Sequence, residues 1–138
     1  MKILCILTLL GISIWAGSAR AASYDCPAKI NVQQSASSVP DGWNSFHDQD
    51  LYPLTNVSLS EGEPSKRVTL VPTGERKKGK TSVTTWVFTP SSDGYWLSCL
   101  YSGTSIGMTR KLPDGTKSCR VEGDARFDPP SPTKIECQ

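Results

Sequence analysis

Ser82-Val83-Thr84-Thr85-Trp86-Val87-Phe88, then Thr89-Pro90-Ser91-Ser92-Asp93-Gly94, then Tyr95-Trp96-Leu97-Ser98-Cys99-Leu100-Tyr101 is the stretch whose reading decides the fold. Both outer runs are rich in β-branched and aromatic residues, and the segment between them holds Pro90, Asp93 and Gly94. That combination predicts two strands joined as a hairpin with a longer loop. Alternation puts Thr84, Trp86 and Phe88 on one face of the first run and Val83, Thr85 and Val87 on the other. In the second run Tyr95, Leu97, Cys99 and Tyr101 share a face opposite Trp96, Ser98 and Leu100. Neither strand has a purely polar face, so the hairpin is expected mid-sheet and covered on both sides. It reads as a structural centre and holds no catalytic pattern.

The flanking sequence continues in short strands. Lys29 to Gln33 alternates, and Gln34 to Gly42 is a Ser-rich loop ending in Pro40-Asp41-Gly42. A short helical turn is placed only at Trp43 to Leu51. Asn56 to Ser60 and Arg67 to Val71 are read as a second hairpin, followed by a charged loop from Pro72 to Lys80. Ile106 to Leu112 and Thr116 to Glu122 flank the turn signal Pro113-Asp114-Gly115, and Thr133 to Cys137 is the last strand. About eight short strands without an amphipathic helix predict an all-β domain, either an antiparallel sandwich or a strongly curved sheet.

The start of the chain reads as an export signal. Met1-Lys2 is positive, Ile3 to Ala16 is almost wholly apolar, and Ala19-Arg20-Ala21 fits a small-residue cleavage site. Residues 1–21 are therefore expected to be removed, taking Cys5 with them, and 22–138 to form one domain without a membrane anchor. Cleavage also removes Lys2 and Arg20 from the 15 basic residues, leaving 13 against 13 acidic ones. Near neutrality weighs against nucleic acid and anionic lipid as partners. Cys26, Cys99, Cys119 and Cys137 remain, an even count that implies two disulfides in an exported domain. A strand over 106–112, lying between those of Cys99 and Cys119, favours Cys26–Cys99 with Cys119–Cys137. Cys26–Cys137 with Cys99–Cys119 follows closely.

Candidate chemistry is sparse. His47 is the sole histidine, and it has no serine or free-cysteine nucleophile motif beside it, so it reads as a packing or surface residue. Asp41, Asp48 and Asp50 lack the order of a calcium loop, and the cysteine spacings lack a zinc pattern. No catalytic residue, metal or cofactor is expected. Asn56-Val57-Ser58 is a glycosylation sequon only in a eukaryotic setting. Small disulfide-stapled β domains of this kind act by binding. The choice lies between an inhibitor of another protein and a carbohydrate or envelope-surface module. Candidate contacts are Trp43, which strand patterning leaves unexplained, and the basic Arg76, Lys77 and Lys78. The loop begun by Tyr101, Ser102, Gly103 and Thr104 completes the set.

Several short motifs carry a resemblance. Cys26-Pro27-Ala28-Lys29-Ile30, Pro40-Asp41-Gly42-Trp43, Trp96 to Tyr101, Leu112-Pro113 and Cys119-Arg120-Val121 resemble a family of small exported Gram-negative proteins. Members occur in type VI secretion islands, and the cysteine framework with its adjacent aromatics is the specific part. The resemblance implies a periplasmic immunity protein that occludes a wall-attacking toxin. A weaker resemblance is to periplasmic lysozyme inhibitors, β domains that insert a Ser-Gly-x-x-Tyr loop into the enzyme's cleft. Here Ser102-Gly103-Thr104-Ser105 is followed by Ile106 where that pattern has tyrosine.

Overall fold

The computed structural model describes residues 20–47 and 51–138. Most of the expected leader, together with Asp48 and Asp50 of the acidic group, lies outside these residues. Nine strands form: β1 (Ala22–Tyr24), β2 (Lys29–Asn31), β3 (Leu51–Glu61), β4 (Gly74–Lys78), β5 (Thr81–Val87), β6 (Tyr95–Tyr101), β7 (Met108–Lys111), β8 (Ser118–Asp124) and β9 (Ser131–Cys137). They make a five-stranded sheet in the order β1-β9-β8-β5-β4 and a four-stranded sheet in the order β2-β3-β6-β7. Every pairing is antiparallel. The expected all-β, disulfide-stapled fold is therefore observed. Among the described residues the sole helical element is a 3-10 turn at Pro64–Lys66, and residues 43–47 are not helical. No helix among them is long and apolar enough to cross a membrane.

The stretch from Ser82 to Tyr101 does not form the expected hairpin. β5 pairs with β4 and β8, whereas β6 pairs with β3 and β7 in the other sheet. Residues 89–94 thus carry the chain across the sandwich. The reason lies in the two apolar faces. As a hairpin, Trp86, Phe88, Tyr95 and Leu97 would need a third layer to cover them; on facing sheets they cover one another. The Phe88 and Tyr95 rings stack at 4.2 Å between centroids, and the Tyr95 hydroxyl donates to the Thr89 carbonyl at 2.5 Å. The same correction applies to Pro113-Asp114-Gly115. The turn forms, with Thr116 N donating to the Pro113 carbonyl, but it joins β7 of one sheet to β8 of the other. The true hairpins are β2–β3, β4–β5, β6–β7 and β8–β9, alternating between sheets.

The apolar faces turn inward, and the opposite faces are only partly covered: on β6 Ser98 is buried, Trp96 half-buried and Leu100 exposed. Trp86, Phe88, Tyr95, Leu97, Cys99 and Tyr101 are buried, while Val87 on the opposite face is 62% exposed. The main core gathers Trp86, Phe88, Tyr95 and Leu97 with Val57, Leu59, Leu112, Val121 and Ile135 from both sheets. Each such aliphatic or aromatic side chain contributes roughly 1.5–3 kcal/mol through burial. A smaller cluster of Ile30, Tyr52, Cys99 and Tyr101 extends it at the β2–β3 end.

The disulfides are Cys26–Cys99 and Cys119–Cys137, the preferred pairing. Cys119 and Cys137 face each other in register on β8 and β9, with Cα atoms 4.1 Å apart. Cys26 pins the crossing between β1 and β2 onto β6, at a Cα separation of 5.8 Å. Cys99 and Cys119 lie on different sheets, so the strand read as lying between them separates them less directly than expected.

Candidate functional site

Two surfaces carry the residues singled out in the sequence. The first is the end of the four-stranded sheet where the β2–β3 and β6–β7 connections meet. They meet there because Leu54, near the start of β3, is in register with Tyr101 at the end of β6. The buried Tyr52 hydroxyl organises the meeting. Gln34 Nε2 donates to it at 2.7 Å and also reaches the Gly103 carbonyl at 3.2 Å, while His47 Nε2 lies 2.8 Å from the same hydroxyl. Around this network Gln34, Ser35, Asn44, Phe46, His47 and Gly103 line a shallow hollow. Trp43 at 75% and Phe46 at 88% exposure stand out from the same loop. Two large aromatics exposed in one loop make this end a candidate contact surface.

The structure therefore brings the loop of Trp43 to Gly103, between Ser102 and Thr104. Tyr101 departs from the expected role of outward anchor. It is 5% exposed and packs in the smaller core, and burial pushes its pKa above the ordinary tyrosine value. Its hydroxyl has no hydrogen-bond partner among the described residues. The contrast with Tyr52 gives a prediction. Tyr52→Phe removes a bonded hydroxyl and is expected to cost about 1 kcal/mol and to open the 34–47 loop to proteolysis. Tyr101→Phe relieves an unpaired buried group and is expected to leave stability unchanged or raised. Denaturant titration with limited proteolysis checks both, and equal losses would refute the contrast. Sequence reading passed over Gln34, Tyr52 and Phe46. The available signal was an aromatic-bearing loop without strand alternation.

The second surface is β4. Arg76, Lys77 and Lys78 were read as part of a charged loop, but they form a strand at the edge of the five-stranded sheet. The correction comes from Gly79, whose φ of +60° suits the first central position of a two-residue turn that closes Lys78 onto Thr81. Pairing with Val83, Thr84 and Thr85 then outweighs the weak strand preference of the charges. All five β4 residues are exposed. Arg76 and Lys78 lie over the outer face with Val83, Thr85 and Arg120, where they line a shallow concavity. The carboxylates of β8 are already engaged: Glu122 pairs with Arg120 at 2.8 Å, and Asp124 pairs with Arg126. That pairing, with the Arg126 backbone N–H donating as well, lowers the Asp124 pKa to about 2. No residue lines both surfaces. Among the described residues no group of three or more His, Cys, Asp or Glu is placed to hold a metal ion.

A disulfide-stapled sandwich with exposed aromatics at one end and a basic edge elsewhere is suited to binding. Residues 47–138 match the family model described as type VI secretion system Tli immunity protein. The chain belongs to that family. The match runs from the end of the Trp43 loop through β9, and so contains β4 and Gly103 while leaving Trp43 outside. The immunity protein is also 30% identical over 135 residues to a protein of Azospirillum brasilense whose name reads "Uncharacterized 16.3 kDa protein in trpG 5'region". That similarity covers 91% of this chain and 89% of the relative. No solved structure matches it significantly. Family membership makes the immunity protein a binder of a protein toxin of the type VI secretion system.

Proposed function

We propose that the protein works in the periplasm, after removal of residues 1–21, as a one-to-one inhibitor that occludes a toxin attacking the cell envelope. Wall peptidoglycan is the toxin's expected substrate. The observation that carries the compartment is the disulfide framework: all four cysteines after the leader are paired, which requires an oxidising environment. The contact surfaces are the Trp43 and Ser102–Thr104 end and the Arg76–Lys78 edge. A rigid, cross-linked domain loses little entropy on docking, so an interface of about 800 Å² per partner suffices for tight binding.

The test mixes the purified mature protein with the toxin encoded beside it and follows complex mass and hydrolytic activity on peptidoglycan and on phospholipid. The expected result is a one-to-one complex and stoichiometric loss of peptidoglycan hydrolysis. Trp43→Ala is expected to weaken binding by at least about tenfold without loss of stability. A toxin that hydrolyses phospholipid would replace the wall by the membrane as its target and leave the periplasmic inhibitor standing. Inhibition of lysozyme instead would favour the inhibitor family of the Ser-Gly loop. Retention on a glycan column with no protein partner would favour a carbohydrate module.

A further inference from the structure

The four sheet edges are not alike. β1 and β2 are three residues long, and β7 is four. On β7 the charges are occupied: Arg110 lies over the Tyr24 ring at 5.5 Å, and Lys111 pairs with Asp114 at 3.3 Å. β4 is the longest outermost strand, and its Arg76, Lys77 and Lys78 have no carboxylate partner among the described residues. A two-residue turn closes on a hydrogen-bonded pair, Lys78 with Thr81, so bonding alternates from there and Arg76 also faces Val83 in a bonded pair. Glu75 and Lys77 consequently turn their backbone N–H and C=O groups away from β5, toward solvent. This edge is a template for one more strand.

We propose that β4 receives an extended, acidic segment of the toxin by strand addition, a proposal that rests on the immunity reading above. Charge selects the occupant. Arg76, Lys77 and Lys78 outnumber Glu75 on this strand, so an acidic occupant fits it better than a second copy, which in the antiparallel register centred on Arg76 would set Arg76 against Arg76. An acidic strand meets Arg76 and Lys78 on one side of β4 and Lys77, beside Glu75, on the other, so the side of Arg76 and Lys78 is the more strongly cationic. Backbone bonds then supply affinity, and the basic side chains supply selection.

The experiment measures binding of the purified mature protein to the toxin encoded by the neighbouring gene. Arg76→Glu, Lys77→Glu and Lys78→Glu together are expected to weaken it on the order of a hundredfold and to flatten its salt dependence. Lys77→Pro removes an outward N–H while sparing the bonds to β5, and is expected to weaken binding at least about tenfold more than Lys77→Ala. Hydrogen exchange on the wild-type protein gives a readout free of any folding defect. The Glu75 and Lys77 amides are expected to exchange fast alone and at least about a hundredfold slower in the complex. Tight binding with unchanged exchange at these amides, or with the variants within about twofold of wild type, overturns the proposal alone. Absence of any wild-type binding overturns the immunity reading together with it.

Discussion

Replacing Cys26 and Cys99 together by serine is expected to destabilise the mature protein by about 4 kcal/mol, and replacing Cys119 and Cys137 by about 3 kcal/mol. The ordering follows from the chain each bridge closes, because a longer loop loses more entropy in the unfolded state. The separations are 73 residues for Cys26–Cys99 and 18 for Cys119–Cys137. The first bridge also fixes the crossing from β1 to β2, and Cys26 packs against both parts of the core. A domain of this size has a total stability of about 5–15 kcal/mol, so either loss is a large share. Denaturant titration of the two double variants measures both. A larger loss for the short loop, or no loss from either, would contradict the account.

Leu97→Ala is expected to cost about 3 kcal/mol, whereas Val87→Ala is expected to cost within about 0.5 kcal/mol. Both lie in the stretch around which the sequence is organised, but Leu97 faces inward from the four-stranded sheet and Val87 outward from the five-stranded one. Leu97 is 3% exposed and sits between the sheets with Val57, Leu59, Trp86 and Tyr95, so truncation leaves a cavity bounded by two layers that cannot readily close. Val87 is already in water. If the stretch were a hairpin covered on both faces, both substitutions would be costly. Comparable losses would therefore restore the arrangement that the structure replaces.

Strand faces were legible in this sequence, and strand partners were not. Alternation put Trp86 and Phe88 on one face of their run and Tyr95, Leu97, Cys99 and Tyr101 on one face of theirs, and all six are buried, although which face turns inward was not read from it. It says nothing about whether two apolar faces lie side by side or across from each other. Pro90, Asp93 and Gly94 suit a hairpin loop and a crossing between sheets equally well, since both need only a reversal of the chain. The parse thus slipped by one strand, joining β5 to β6 where β4–β5 and β6–β7 are the hairpins. β4 was hidden because Glu75-Arg76-Lys77-Lys78 has the composition of a loop, and only pairing to β5 makes it a strand.

The site was legible in part for the same reason. Trp43 stood out because no strand pattern absorbed it, and it is exposed. Tyr101 continued the alternation of β6, and it follows that alternation into the core. Gln34 and Tyr52 could not be found from local sequence, because they are joined by a side-chain hydrogen bond across 18 residues. The two candidate surfaces likewise belong to different sheets, a separation that linear order does not reveal.

The most direct test of a periplasmic toxin inhibitor is protection by compartment. Cells are challenged with the cognate toxin delivered to the periplasm, while they express this protein either with residues 1–21 or without them. The account predicts survival only with the leader-bearing form, with both cysteine pairs oxidised in the protein recovered from the protected cells. Equal protection by the leaderless form, or lysis with either form present, would contradict it.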